Sequence, residues 1–95
     1  MNDLKVGMQV ILNGQVHGVI EELGVPEDLP NWKGWIGDEP TGKQLLHVLR
    51  RFDITQCASI GVGNGEAILI GKQQGQWRLF PDGTPINIEL KSPVN

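Results

Sequence analysis

The sequence predicts an α+β protein in which an antiparallel, partly barrel-like sheet of about five to six strands curls over one amphipathic helix. Two observations predict this fold. Several short segments alternate apolar and polar residues and are separated by regularly spaced turn signals, as in an antiparallel meander. One segment between them repeats its apolar residues with helical spacing. The 95 residues correspond to one domain, 1–95.

Residues 5–23 are predicted to form a β-hairpin. Asn13-Gly14 is a strong two-residue turn signal, because both residues tolerate the positive φ that a type I′ turn requires. The second strand is expected to run from Gln15 to about Leu23. The apolar residues before the turn alternate with polar ones, so they share one face of the first strand: Val6, Met8, Val10 and Leu12.

The hairpin carries a pattern that is also found in a known class of barrel. Lys5-Val6-Gly7-Met8-Gln9-Val10, then Asn13-Gly14, then Gly18-Val19-Ile20-Glu21, resembles the opening of small bacterial SH3-like barrels. In those barrels a "hydrophobic-x-G-x-x-V" strand leads through a tight turn into a "G-x-I" strand. The resemblance implies an SH3-like sheet.

The plasmid- and cassette-borne type II dihydrofolate reductases look similar over the same part, about a fifth of the chain. Their Val-Gln-Ile-Tyr active-site signature is absent here, and the chain has no tyrosine, so we do not expect their activity. In its general character, that of a small orphan-like protein of one domain, the chain is similar to products of mobile integron gene cassettes. That likeness implies a bacterial source.

Residues 41–52 are predicted to form the helix. Thr41 is a candidate N-cap, and Gln44 three residues later completes a capping box. Arg50 and Arg51 fall in the last turn, where the helix dipole favours positive charge. The apolar residues share one side of the helical wheel: Leu45, Leu46, Val48, Leu49 and Phe52. A strand remains the alternative, but it separates apolar from polar residues less well. It would place these four residues on one face: Leu45, His47, Leu49 and Arg51.

Residues 54–90 are predicted to form further antiparallel strands. The run 67–70 is apolar throughout, as expected of a central strand covered on both faces. Three turn signals separate the strands: Asn64-Gly65, Gln74-Gly75 and Pro81-Asp82-Gly83. Two flanking runs alternate, each with one apolar face: Ala58, Ile60 and Val62, and then Ile86, Ile88 and Leu90.

An acidic loop, residues 24–40, is predicted between the hairpin and the helix. The stretch 21–40 carries six carboxylates and one lysine, a formal charge of −5, whereas the whole chain carries −3. Its prolines and glycines disfavour a long helix or strand, and a loop of this length in a compact domain is usually functional or mobile. The candidate ligand-binding residues are two tryptophans and four of the carboxylates: Trp32, Trp35, Glu27, Asp28, Asp38 and Glu39.

Two interpretations of Trp32 and Trp35 stay open. Both rings can fold inward as a small core that pins the loop, because buried tryptophan is ordinary. Alternatively, at least one ring forms a wall of a pocket or interface, where tryptophan is enriched. A ring beside carboxylates suits a cationic amphiphilic ligand or a basic protein partner, through cation–π and Coulomb attraction together.

Composition argues against several classes of partner. Phosphate binding needs clustered Lys and Arg, and Arg50-Arg51 is the one adjacent basic pair, so we expect no nucleic acid partner. No apolar run approaches the ~18 residues of a membrane span, and the first residues lack a signal-peptide pattern. The single cysteine, Cys57, cannot form an internal disulfide. A cytoplasmic location is the simplest inference.

No catalytic residue, metal site or cofactor is predicted. Cys57 is expected to be a buried structural thiol, and Ser59 lacks the nucleophile elbow that exposes a catalytic serine. The histidines and the cysteine do not have ligand spacing, and the acidic loop lacks the pattern of a twelve-residue calcium loop. The glycines at 61, 63 and 65 lack the further glycine and the helix of a dinucleotide site. We interpret them as a hairpin turn.

We therefore expect a non-enzymatic binding module, a homodimer or larger, whose ligand contacts the acidic loop. An interaction or regulatory protein that docks the same loop on another chain is the alternative. A small enzyme ranks last, because no matched acid and base can be named.

Overall fold

The computed structural model describes residues 4–32, 39–80 and 82–91, with the backbone alone for residues 39–44. These parts contain seven strands, one α-helix and one short 3₁₀ helix. The strands are β1 Gln9–Leu12, β2 Val16–Gly24, β3 Gln56–Gly63, β4 Glu66–Gln73, β5 Gln76–Phe80, β6 Thr84–Pro85 and β7 Ile88–Lys91. The 3₁₀ helix is Pro26–Asn31, and the α-helix α1 is Glu39–Arg51.

The seven strands form one antiparallel sheet in the order β6-β5-β4-β3-β2-β1-β7. The protein is thus mostly antiparallel sheet, with a minor helical part, and the prediction of five to six strands was too low. Consecutive strands are neighbours from β1 to β6; short turns join them except between β2 and β3, where the connection contains the 3₁₀ helix and α1. Asn13, with φ 52°, and Gly14, with φ 70°, form the predicted turn between β1 and β2.

One chain segment, residues 84–91, gives the sheet its barrel-like curl. Its first part, β6, pairs with β5, and its last part, β7, pairs with β1. Between them, the Ile86 amide donates to Trp77 O at 3.0 Å, and the Asn13 amide donates to Asn87 O at 2.9 Å. The two edges of the meander therefore meet on the same segment, which satisfies backbone groups that an open edge would leave unpaired.

The first hydrophobic cluster lies on the inner face of the curled sheet. Ile20, Ile60 and Ile70 are fully buried there. Ile86, Ile88 and Leu90 join this cluster, so the alternation predicted for that segment is correct. Val6, which was predicted on the same face as Val10, is 62% exposed because it precedes β1 in a turn.

A second hydrophobic cluster lies on the outer face of β3 to β5, where α1 and the 3₁₀ helix pack. Its buried members are Leu29, Leu49, Ile54, Cys57 and Phe80. In β4, Leu69 contacts this second cluster, whereas its neighbours Ile68 and Ile70 contact the first cluster. Both faces of the strand are therefore covered, which explains why the run 67–70 is apolar throughout.

The helix α1 uses the apolar side that its sequence predicted. Leu45, Val48, Leu49 and Phe52 pack into the second cluster, while His47 and the two final arginines are exposed. The predicted helix is thus correct for this stretch, and the strand alternative is wrong. The helix begins at Glu39 and not at Thr41, so Thr41 lies inside the helix instead of capping it.

Candidate functional site

The acidic segment begins with a short, well-defined turn of 3₁₀ helix. Pro26 stands at its first turn, where a missing amide hydrogen costs nothing. The Val25 amide donates to Asp28 Oδ2 at 3.1 Å, and the Asp28 amide donates to Val25 O at 2.9 Å. These two bonds close the turn over residues 25–28, so the Asp28 side chain stabilises it in addition to packing.

The 3₁₀ helix separates its charged residues from its apolar ones. Pro26 and Leu29 are buried, and Leu29 belongs to the second hydrophobic cluster. Glu27 and Asp28 are exposed in the first turn. An acidic group in this position also interacts favourably with the positive end of a helix. Two predicted site carboxylates therefore stand next to each other in the chain on the exposed side of one short helix.

Trp32 follows the 3₁₀ helix directly, and its ring has features of both predicted roles, a ring packed inward and a ring exposed at a surface. Its amide donates to Leu29 O at 3.0 Å, and its ring packs against the second cluster. The side chain is only half-buried, so part of the indole faces solvent. The ring thus pins the end of the 3₁₀ helix and still offers an apolar surface close in sequence to Glu27 and Asp28.

The remaining predicted site residues are not placed with this group. Trp35 and Asp38 lie outside the described residues, and Glu39 is described only as the first residue of α1. The described part of the candidate site is accordingly Glu27, Asp28 and Trp32, which we call the acidic surface.

Cys57 lies close to this surface but is enclosed. It pairs with Gly24 across the β2–β3 ladder, and the Asp28 carboxylate lies over Gly24. The thiol is fully buried, and burial, together with the nearby charges of Glu27 and Asp28, raises the pKa of Cys57 from 9.0 to about 12. A thiol in this state is protonated at neutral pH and is a poor nucleophile.

A groove that the sequence did not indicate lies on the outside of the sheet, away from the acidic surface. It is a shallow groove of about 370 Å³ on the outer face of β1, β2, β3 and β7, and Gln9, His17, Val19 and Lys91 line it. The sequence predicted a hairpin turn for the glycines at 61, 63 and 65, whereas Gly61 and Gly63 belong to β3. The available signal was the presence of glycine inside strand patterns, which often marks close approach of another group.

The described residues show little else that carries chemistry. Within ranges 4–32, 39–80 and 82–91, no three side chains of His, Cys, Asp or Glu converge as a metal site would require. No helix in those ranges is long and apolar enough to cross a membrane.

Comparison with known proteins adds no relative. No protein-family model matches the chain, and no curated protein or solved structure matches it.

Proposed function

We propose that this protein is a small non-enzymatic binding module whose acidic surface takes a cationic amphiphilic ligand. The observation that carries the proposal is the exposure of Glu27 and Asp28 on one short helix that leads into the half-exposed ring of Trp32. On the sequence prediction, Trp35, Asp38 and Glu39 complete the site. The scaffold in this proposal is an SH3-like barrel of the kind that the opening hairpin resembles.

The physical basis is the sum of two modest attractions. A cation over an exposed tryptophan ring gains about 0.5–1 kcal/mol, and an exposed carboxylate adds about 0.2–1 kcal/mol per ion pair. Burial of an apolar group of the ligand against the indole adds about 25 cal/mol per Å² of apolar area removed from water. Such a site binds small probes weakly and depends on salt, since exposed charges are screened.

Tryptophan fluorescence tests the proposal directly. Benzyltrimethylammonium is the cationic probe, and phenylacetate, of similar size, is the anionic control. We expect saturable changes in emission with the cation alone, and Trp32→Phe should reduce them to the part that Trp35 contributes. Trp77 also emits, but it packs against the first hydrophobic cluster and has the Lys72 ammonium 5.8 Å from its ring centroid. Its emission is therefore background, and repeating the titration in the Trp77→Phe variant removes it.

Charge variants separate specific binding from a general charge effect. Glu27→Gln should weaken binding of the cation about two- to fivefold, the range of one exposed ion pair. The matched control is Glu66→Gln, an exposed carboxylate at the start of β4. Asp28 is a poor choice because its carboxylate closes the 3₁₀ turn. Equal effects of the two substitutions, or no response to the cation, would refute the proposal.

The expectation of a homodimer is also a proposal. Val16, Val19 and Val25 are each about two-fifths exposed, at 41%, 40% and 44%, and association would cover some of this area. Light scattering at high protein concentration tests it, and a monomer across the range would show it to be wrong. A stoichiometric protein partner recovered with the wild type, but lost in Glu27→Gln, would instead favour the interaction or regulatory alternative.

A further inference from the structure

The groove on the outer face of β1, β2, β3 and β7 has a defined order of side chains across it. Lys91 pairs with Gln9, Gln9 pairs with Val19, and Val19 pairs with Gly61. Paired residues of antiparallel strands point to the same face, so these four form one row. The row begins with an ammonium group and ends at a position without a side chain.

The floor of the groove is formed in part by glycines of β2 and β3, at positions 18, 61 and 63. A Cβ at Gly18 would point to the inner face and collide with the buried Ile60 side chain, so the core and not the groove requires glycine there. Gly63 has φ +99° next to the register shift of the β3–β4 ladder, a conformation that disfavours other residues. The exposed face of Val19 borders this floor, and together they offer a flat apolar surface that suits a planar ring.

The two ends of the groove have opposite chemistry. His17, Gln9 and Lys91 place nitrogen donors along one side. A β-bulge at Glu21 marks the other end, because Ile20 pairs with Ile60 whereas Glu22 pairs with Ser59. The inserted Glu21 extends its carboxylate over Gly61, where a Cβ would collide with it. The groove therefore runs from a cationic end to an anionic end.

The span matches one substituted ring. Adjacent strands lie about 4.8 Å apart, so the row from Lys91 to Gly61 covers roughly 14 Å between backbones. The Lys91 and Glu21 side chains both take up part of that length. The groove volume of about 370 Å³ is near the lower end of the ~300–1,000 Å³ typical of small-molecule pockets.

We propose that this groove is a second ligand site, for small planar aromatic acids that carry a hydrogen-bond donor at the end opposite the carboxylate. The ligand carboxylate lies near Lys91 and Gln9, the ring covers the floor beside Val19, and the donor reaches Glu21. The site is separate from the acidic surface, which lies on the 3₁₀ helix and its end.

Amide chemical shifts measured by ¹H–¹⁵N NMR on the full chain test the proposal, with 4-hydroxybenzoate as the probe. We expect saturable shifts of the amide signals of Gly18, Gly61 and Gly63, which line the groove. Benzoate, which lacks the donor, should bind more weakly, and 4-hydroxybenzyl alcohol, which lacks the negative charge, weaker still. Absence of saturable shifts at these glycines, or equal binding of the alcohol, would overturn it.

Variants identify the two ends of the site. Lys91→Gln should raise the Kd for 4-hydroxybenzoate about two- to fivefold, as for loss of one exposed ion pair, with little change in its preference over benzoate. Glu21→Gln should reduce that preference instead. Lys5→Gln removes an exposed lysine outside the groove lining and is the matched control. If Lys5→Gln and Lys91→Gln weaken binding equally, only general attraction to positive charge operates and the proposal is wrong.

Discussion

The guanidinium group of Arg78 lies over the ring of Phe52, with 5.5 Å between its carbon and the ring centroid. Its Nε donates to Gln73 Oε1 and its Nη1 donates to Gly83 O, each at 2.8 Å. Phe52 in turn meets Phe80 edge to face, with centroids 5.4 Å apart. One part-buried arginine thus joins the end of α1, the β4–β5 hairpin and the turn that leads to β6.

Arg78→Lys should destabilise the protein although it keeps the charge. Lysine cannot reproduce two hydrogen bonds in different directions together with stacking on an aromatic ring. We expect a loss of about 2 kcal/mol in the free energy of unfolding, measured by urea denaturation. Arg50→Lys, at an exposed position of α1, is the control and should cost less than about 0.5 kcal/mol. Equal effects at the two positions would contradict the stabilising role of Arg78.

Gly83→Ala tests the packing beneath this arginine. Gly83 has φ +79°, and an added Cβ would lie 2.5 Å from Phe52 Cζ. Left-handed backbone costs a residue with a Cβ about 1–2 kcal/mol, and overpacking adds about 1–3 kcal/mol. Gly75→Ala separates the two costs, because Gly75 has φ +84° with no atom within 4 Å of the added Cβ. Gly83→Ala should therefore lower the thermal midpoint clearly more than Gly75→Ala.

Asn13→Ala should weaken the contact between the first hairpin and segment 84–91. The Asn13 side chain accepts a hydrogen bond from the Asn87 amide at 2.9 Å, and its own amide donates back to Asn87 O. The substitution also places alanine at φ 52°. We expect a loss of about 2 kcal/mol from both causes together, measured by denaturation.

Asn64→Ala is the matched control, because Asn64 has φ 57° in the β3–β4 turn. It should show only the cost of the backbone conformation, about 1 kcal/mol. Hydrogen exchange adds a second readout, since Asn13→Ala should speed exchange of the Asn87 amide and Asn64→Ala should not. An equal loss of protection in both variants would show that the Asn13 bond contributes nothing of its own.

Cys57 should make the protein less stable above about pH 9. Its native pKa is about 12, against 9.0 for an unperturbed thiol, so between these values the unfolded chain loses a proton that the native state retains. The free energy of unfolding then falls as pH rises, by up to about 1.4 kcal/mol per pH unit. Cys57→Ala should lack this slope, and the difference between the two curves cancels other titrating groups. Parallel curves from pH 8 to 10.5 would contradict burial of the thiol.

Local signals in the sequence predicted much of the fold. Asn13-Gly14 indicated the first turn because its backbone preference needs no distant contact. The apolar spacing of Leu45, Val48, Leu49 and Phe52 indicated both the helix and its buried side. The boundary at Thr41 was wrong because a capping pattern does not exclude a helix that starts two residues earlier.

The candidate site was predicted only in part. Exposure of Glu27 and Asp28 follows from their charge, whereas the ring of Trp32 had two interpretations that depended on a cluster formed by residues far away in the chain. The groove was not predicted at all. Its row joins Lys91, Gln9, Val19 and Gly61, and the register of four strands decides that arrangement.

The sequence by itself determined the antiparallel, turn-rich sheet, most of its buried residues, the helix α1 and the acidic character of residues 21–40. These properties depend on periodicity and on backbone preference within a few residues. Only the tertiary structure decided that segment 84–91 pairs with both edges of the sheet, that Arg78 lies over Phe52, and that Glu21 extends over Gly61. Those relationships depend on register and packing between residues distant in the chain, where many pairings agree equally well with the same local pattern.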